Sequence, residues 1–230
     1  MAQSTAQHGI HQIPDMGFSN AYLVETDQQS LVLIDTGTPG KQAKVLAYLN
    51  SIGGKPGDIS YIILTHADAD HSGSAAELKR LTGAKLAIGE LDAPRISGEK
   101  SLKEASGFGG LMVGVFGAFM KVERVKPDMA LKDGETIGPL TIVFTPGHTD
   151  GSISVYKPNE AIFVGDLLRT DGSGNLKLAP ASMSRDMAEV RRSAEKLSKL
   201  EFSMLLPGHG KPIEQDASKK LRDFVANDFK

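Results

Sequence analysis

Short apolar segments with the length of β-strands alternate along the chain with longer segments whose apolar residues recur at helical spacing. Residues 61–64, for example, form an uninterrupted Tyr-Ile-Ile-Leu run, whereas Val45, Leu49 and Ile52 make one stripe of a helix that ends before two glycines. We find no internal repeat and no low-complexity linker. This alternation predicts one α/β domain over residues 1–230.

The positions of the individual elements follow from the same pattern and from local end signals. The apolar runs predict strands at residues 20–25, 31–34, 61–64, 85–88, 140–144, 153–156, 161–164 and 204–206. The periodic runs predict four helices. The first begins at a Thr38 N-cap, the second begins at Ser74 with Glu77 in a capping box and stops at Gly83, and the others cover residues 186–200 and about 215–227.

Composition removes several kinds of chemistry. The chain has 26 Lys and Arg against 28 Asp and Glu, a formal net charge of −2, which provides no electrostatic footprint for nucleic acid or an anionic membrane. It has no cysteine, so any metal must be bound by His, Asp or Glu. Residues 1–9 lack the features of a secretory signal, and the longest run without a polar side chain, residues 107–120, is too short to span a bilayer. We therefore expect a cytoplasmic protein with flexible residues 1–9 and no membrane partner.

Four polar loops, each at the end of a predicted strand, carry histidine and aspartate. Because functional groups gather at strand ends in α/β sheets, we expect the loops to meet. Imidazole and carboxylate suit Zn²⁺, Fe²⁺ or Mn²⁺, and this set is larger than one tetrahedral ion needs, so it favours two ions that share a carboxylate. Taken alone, each loop is also typical of a solvated loop or a helix cap. The candidate ligands are His66, Asp68, Asp70, His71, His148, Asp166 and His209.

The ordered series Thr65-His66-x-Asp68-x-Asp70-His71, Gly147-His148, Gly165-Asp166 and Gly208-His209 resembles the metallo-β-lactamase superfamily, in the branch of glyoxalase II-like hydrolases and lactonases. The resemblance spans nearly the whole chain. It implies a four-layer αββα sandwich, with two mixed sheets packed face to face, helices outside and a metal site at one edge. His8 and His11 lie outside the series, and we interpret both as surface residues.

The resemblance also implies a role for each ligand. It implies that His66 and His148 bind the first metal, that Asp166 bridges, and that the second metal is held by Asp70, His71 and His209. The activity implied is hydrolysis of a small ester, thioester or lactone by a metal-bound hydroxide, which Asp70 binds and orients as the catalytic residue.

Asp68 departs from the family's usual motif, which has a histidine there as a ligand of the first metal. The shorter carboxylate arm reaches the metal, leaves a gap for water, or orients a ligand imidazole from outside. A third carboxylate favours harder ions, Fe or Mn, while Zn stays compatible. Flavodiiron proteins of the same superfamily carry a carboxylate at this position. The alternative function is therefore an iron oxidoreductase, either diiron oxygen or nitric oxide reductase-like, or persulfide dioxygenase-like with one iron held by His66, His148 and Asp166.

Residues 91–126 form an insertion between the first two metal loops, polar at its start and rich in glycine and phenylalanine at 107–120. We expect a lid or pocket wall for a small acyl-type substrate, lined by Phe116 and Phe119. The alternative is a buried small-residue helix, in the core or at a homodimer interface. Arg169 follows Asp166 closely and is a candidate for binding a substrate carboxylate.

Overall fold

The computed structural model describes residues 9–26, 30–100 and 121–229. The chain forms two compact units, residues 1–130 and residues 131–230. Each unit combines β-sheet with helices, which confirms the predicted α/β class. Across the described ranges, the helices are all too short or too polar to traverse a bilayer.

The first unit is built on a six-stranded sheet in the order β1-β2-β3-β4-β5-β6. β2 pairs antiparallel with β1 and β3, whereas β3, β4 and β5 run parallel. Every residue of β3 is buried, as is typical of a parallel strand. The strands are β1 (Ile10–Ile13), β2 (Ala21–Glu25), β3 (Leu31–Ile34), β4 (Ile59–Leu64), β5 (Lys85–Gly89) and β6 (Met129–Leu131).

Helices cover this sheet with the apolar faces that the sequence predicts. Val45 and Leu49 come from one helix and Leu78 from another, and all three join Leu33 and Ile62 of the sheet in one buried cluster. The helices of this unit are α1 (Gln42–Ser51), α2 (Ala69–Ser72), α3 (Ala75–Thr82) and α4 (Ala93–Ser97), with a 3₁₀ turn at Pro56–Asp58.

The second unit contains a five-stranded sheet in the order β13-β10-β9-β8-β7 and a separate β11-β12 hairpin. β10 is parallel to β13, and β9 is antiparallel to both β10 and β8. The carboxyl ends of β8, β10 and β13 therefore lie at one edge. The elements are β7 (Thr136–Ile137), β8 (Leu140–Phe144), β9 (Ile153–Lys157), β10 (Ala161–Gly165), β11 (Leu168–Thr170), β12 (Leu176–Leu178), β13 (Met204–Pro207), α5 (Met187–Leu197) and α6 (Ala217–Asp228).

The start of α1 differs from the predicted one. The helix begins at Gln42 with Lys41 as its N-cap, so the Thr38 N-cap was wrong. Ser74 does precede α3, but its side chain makes no capping bond there. Its hydroxyl instead donates to the Thr38 carbonyl (2.7 Å) and accepts from the Lys41 backbone N–H (2.8 Å). These two hydrogen bonds join the segment that precedes α3 to the segment that precedes α1, and neither predicted capping bond forms.

The surface position assigned to His11 was also wrong. His11 is buried on β1, with its Nδ1 3.2 Å from the Tyr48 hydroxyl and its Nε2 3.0 Å from the Glu25 carboxylate. The Ile-His-Gln-Ile strand is too short and too polar to predict by its pattern, and its pairing with β2 encloses the imidazole. His8 lies outside the described residues.

We expect Leu33→Ala to lower the free energy of unfolding by about 2–5 kcal/mol, because it leaves a cavity in the buried cluster of the first unit. Chemical denaturation monitored by circular dichroism measures the change. Leu81→Ala is the matched control, since Leu81 is an exposed leucine on α3, and we expect a change within about 0.5 kcal/mol. Equal effects of the two substitutions would contradict the assigned core.

Candidate metal centre

Polar residues of the first unit follow the carboxyl ends of three neighbouring parallel strands. Asp35 follows β3, Thr65 and His66 follow β4, and Asp92 follows β5 after a turn closed by its own N–H to Gly89. Because parallel strands present their carboxyl ends at one edge of a sheet, these side chains are collected there by the topology. The polar side chains of this site therefore lie just beyond the carboxyl ends of buried apolar strands.

The structure brings the four predicted ligands of this unit together. His66 and His71 are buried, with ring centroids 4.1 Å apart. Asp68 Oδ2 lies 3.9 Å from His66 Nε2, and Asp70 Oδ2 lies 3.7 Å from His71 Nε2. The segment is not purely a loop, because the single-turn helix α2 starts immediately after Asp68 and carries Asp70 and His71.

The buried carboxylate of Asp35 orients both histidines of this unit. It accepts from the Thr65 N–H (2.8 Å), from the Thr65 hydroxyl (2.8 Å) and from His71 Nδ1 (2.8 Å). Since the Thr65 hydroxyl uses its proton on Asp35, it accepts from His66 Nδ1 at 3.0 Å. Both imidazoles are therefore protonated on Nδ1, which directs the basic Nε2 of each toward the neighbouring aspartate.

The second unit brings together the other three predicted ligands. Asp166 Oδ2 lies 3.7 Å from His148 Nε2 and 3.2 Å from His209 Nε2. His148 follows β8, Asp166 follows β10 and His209 follows β13, whose carboxyl ends share an edge. One carboxylate oxygen thus stands beside two imidazole nitrogens. The bridging role of Asp166 stays a prediction.

Backbone contacts fix the loops that carry these three side chains. The Gly208 N–H donates to the Gly165 carbonyl at 2.7 Å, which ties the loop of His209 to the loop of Asp166. Gly147, which precedes His148, has φ +127°, and a Cβ added there would stand 2.4 Å from the backbone nitrogen of Val190. Only glycine fits this position without displacing the start of α5.

The donor set and its spacing suit divalent cations. Two atoms bound to one ion at about 2.0–2.1 Å in a tetrahedral arrangement stand about 3.3 Å apart. The Nε2–Oδ2 separations within the two units run from 3.2 Å to 3.9 Å. Most of them are long for an N–H···O hydrogen bond, and His66 and His71 also offer ligand atoms within 4.8 Å of each other. Paired nitrogens and carboxylate oxygens at this spacing can share a cation.

Of the three residues predicted to bind substrate, the structure describes only Arg169. Arg169 lies on β11 with its side chain exposed, three residues after Asp166. Phe116 and Phe119, and the greater part of the glycine-rich run around them, lie outside the described residues. Substrate binding by these three residues stays a prediction.

Sequence reasoning missed two buried carboxylates that support the ligands, Asp35 and Asp92. Asp35 directly follows the predicted strand at residues 31–34, and Asp92 lies in the predicted insertion at residues 91–126. The available signal was their position, because each lies shortly after a strand that the pattern predicts. Burial is what distinguishes them from ordinary turn aspartates.

We expect Asp35→Asn to lower the free energy of unfolding by about 1–3 kcal/mol. The carboxylate accepts three bonds with its two oxygens, whereas an amide must turn its NH₂ toward at least one of these donors. Thermal and denaturant unfolding of the metal-free protein measure the loss.

Asp15→Asn is the matched control for that substitution. Asp15 has the same φ of 58° as Asp35, but its carboxylate is exposed and meets only a surface lysine, Lys44, at 3.3 Å among the contacts of the described chain. We expect its effect to stay within about 0.5 kcal/mol. A loss for Asp15→Asn as large as that for Asp35→Asn would contradict the role of the buried carboxylate.

Two known proteins are similar in sequence to about nine-tenths of this chain. The protein named "Probable metallo-hydrolase YqgX" of Bacillus subtilis (strain 168) is 32% identical over 218 residues, which cover 90% of this chain and 93% of that protein. The hydroxyacylglutathione hydrolase of Pseudomonas entomophila (strain L48) is 29% identical, over 89% of this chain and 74% of that protein.

Solved structures agree with these relatives. BJP-1, a subclass B3 metallo-β-lactamase of Bradyrhizobium japonicum, matches with a TM-score of 0.69 and 26% identity, over 96% of this chain and 89% of that one. TTHA1623 in a di-iron-bound form matches with a TM-score of 0.67 and 28% identity, over 84% of this chain and 88% of that one. The family model of the metallo-β-lactamase superfamily matches residues 14–209. The chain therefore has the metallo-β-lactamase fold and belongs to the metallo-β-lactamase superfamily.

Proposed function

We propose that the protein is a metal-dependent hydrolase that holds two divalent ions and acts on a small ester, thioester or lactone. In this proposal the ligands of the two units act as one set. The first ion is bound by His66, Asp68 and His148, the second by Asp70, His71 and His209, and Asp166 bridges them.

The observation that carries the proposal is the hydrogen-bonded chain from His66 through Thr65 to Asp35 and on to His71. Protonation of both imidazoles on Nδ1 leaves Nε2 as the ligand nitrogen, and a carboxylate oxygen stands 3.7–3.9 Å from each Nε2. A carboxylate behind a metal-binding histidine is the usual support of such ligands. The names of the relatives, a metallo-hydrolase and a hydroxyacylglutathione hydrolase, favour hydrolysis as the chemistry.

Divalent ions, when bound, lower the pKa of a coordinated water so that hydroxide is available near neutral pH. Asp70 is the residue best placed to orient that water and to carry its proton. Its side chain is 21% exposed, against 14% for Asp68 and 10% for Asp166, so it is the most accessible of the three carboxylates. We assign to Asp70 the transfer of a proton between its carboxylate oxygen and the leaving group.

The proposed substrate is a small molecule. Arg169, exposed on β11, is the proposed contact for a substrate carboxylate, and Phe116 and Phe119 are the proposed apolar contacts. The net charge of −2 disfavours nucleic acid.

Asp68 supports a second candidate function, an iron oxidoreductase. Carboxylate oxygen is a harder ligand than imidazole nitrogen and shifts the preference of a site from Zn²⁺ toward iron or manganese. TTHA1623, which matches this chain with 28% identity, has been solved with two irons bound. Metal analysis combined with oxygen uptake distinguishes this candidate from a hydrolase.

We expect Asp166→Ala to abolish hydrolysis and to reduce bound metal, because Asp166 is the proposed bridge and stands beside both His148 and His209. Protein purified without added metal is analysed by elemental mass spectrometry and is then assayed on a panel of esters, thioesters and lactones. Asp223→Ala, on the exposed face of α6, is the control and should keep both metal and activity. An Asp166→Ala protein with full metal and full turnover would rule out the assigned bridge.

We expect Asp68→His to raise the ratio of zinc to iron in protein grown in a medium that contains both metals. The substitution replaces an oxygen ligand beside His66 with a nitrogen ligand, which zinc accepts more readily than iron or manganese do. Asp68→Asn, which keeps the size and removes the charge, is the control for general damage to the loop. An unchanged ratio in Asp68→His would show that residue 68 does not bind the metal directly.

A further inference from the structure

Asp92 is a fully buried carboxylate that contacts the peptide between two proposed ligands. It lies beyond β5, and its Oδ2 accepts from the Ala67 backbone N–H at 3.0 Å. Ala67 is itself buried and separates His66 from Asp68. A buried N–H needs an acceptor, and for Ala67 the acceptor comes from the turn that follows β5 rather than from the loop itself.

The charge of Asp92 is balanced by Arg95. Arg95 Nε lies 3.4 Å from Asp92 Oδ1, and the arginine side chain is 7% exposed. The two residues face each other on the first turn of α4, where the Arg95 N–H also donates to the Asp92 carbonyl at 2.9 Å. A buried carboxylate with a cation beside it is far less costly than an isolated one. The arginine beside it therefore offsets the charge that the Asp92 carboxylate brings to this loop.

Asp92 and Asp35 support different parts of the proposed ligand set, since Asp92 accepts from a backbone N–H and Asp35 accepts from an imidazole and a hydroxyl. Asp35 sets the orientation of imidazole rings, through His71 Nδ1 and through the Thr65 hydroxyl. Asp92 holds the peptide that joins His66 to Ala67, and rotation of this peptide changes the direction in which the next residue leaves the loop. The distance that it controls is therefore the one between His66 Nε2 and Asp68 Oδ2, which is 3.9 Å.

We propose that Asp92 is a positioning residue for the first ion, and that it sets the spacing of His66 and Asp68 through its bond to the Ala67 N–H. The inference rests on the proposed function, since it assigns these two ligands to one ion. It makes Asp92 specific to that ion, so loss of its acceptor weakens one of the two metal-binding steps and leaves the other.

Two double variants test whether the Ala67 N–H needs an acceptor oxygen from residue 92. Asp92→Asn/Arg95→Gln keeps an oxygen for the Ala67 N–H, whereas Asp92→Ala/Arg95→Gln does not, and neither leaves a buried charge unbalanced. Metal-free proteins are titrated with Co²⁺, and the visible absorption gives the affinity of each step. We expect wild type and the acceptor-keeping variant to bind two ions alike. We expect the acceptor-free variant to lose affinity in one step by about 10–100-fold.

Asp128→Ala is the matched control. Asp128 also accepts from a backbone N–H, that of Leu86 (2.8 Å), and also pairs with a cation, Lys79 (2.8 Å), but at the opposite end of β5. We expect it to titrate with Co²⁺ like the wild type. Equal Co²⁺ affinities in the two double variants would overturn the positioning role, as would an equal loss in Asp128→Ala.

Hydrogen exchange of the wild-type protein gives a measurement that does not depend on the folding of a variant. We expect the Ala67 amide to be protected before Co²⁺ is added, because its bond to Asp92 is already formed. Exchange at the rate of an exposed amide would overturn the inference. A wild-type protein that binds no Co²⁺ would instead refute the proposed metal site, and the two failures are thus distinguishable.

Discussion

The buried carboxylate of Asp35 is the interaction on which the ligand set of the first unit depends. It lies in a part of the sheet where an ionised group is costly unless its oxygens are satisfied, and three donors satisfy them. Two of these donors also decide where the protons of His66 and His71 lie. The same bonds that make burial of the charge tolerable therefore also place the imidazole protons of His66 and His71 on Nδ1. Stability of the folded loop and competence to bind a cation have one physical origin here.

Strand direction explains why such bonds form between residues distant in sequence. In the first unit, β3, β4 and β5 run parallel, so Asp35, His66 and Asp92 emerge at one edge although they are about thirty residues apart in turn. In the second unit, β8, β10 and β13 present His148, Asp166 and His209 in the same way. Each loop needs to supply only one or two side chains, because neighbouring strands supply the partners. This arrangement lets short loops carry a rigid site.

The sequence predicts the parts of this arrangement that depend on pattern. Runs such as residues 31–34 and 61–64 are apolar throughout and are recognised by that alone. The histidines and aspartates that follow such runs are recognised by their order. What pattern cannot supply is the partner of a buried polar group. Ser74 has the local features of a cap and serves as a tertiary link, His11 is enclosed by the pairing of a strand too short to predict, and Asp92 has the features of a turn residue. In each case the deciding contact joins residues far apart along the chain.

The carboxylates of the first unit also bear on how the proposed cation would affect the stability of the fold. Asp35, Asp68 and Asp70 are all buried or partly buried around the same two histidines, and Asp92 adds a fourth carboxylate whose charge Arg95 balances. Asp35 is offset by its three donors, whereas Asp68 and Asp70 place two further carboxylates beside the same two imidazoles. Bringing like charges together in a medium of low polarity raises the free energy of the folded state. Under the proposed function a divalent ion bound at these carboxylates would remove that repulsion, and binding would then stabilise the folded state by mass action. Asp68 would strengthen this coupling, because it brings a carboxylate oxygen to 3.9 Å from His66 Nε2 where an imidazole would bring no negative charge.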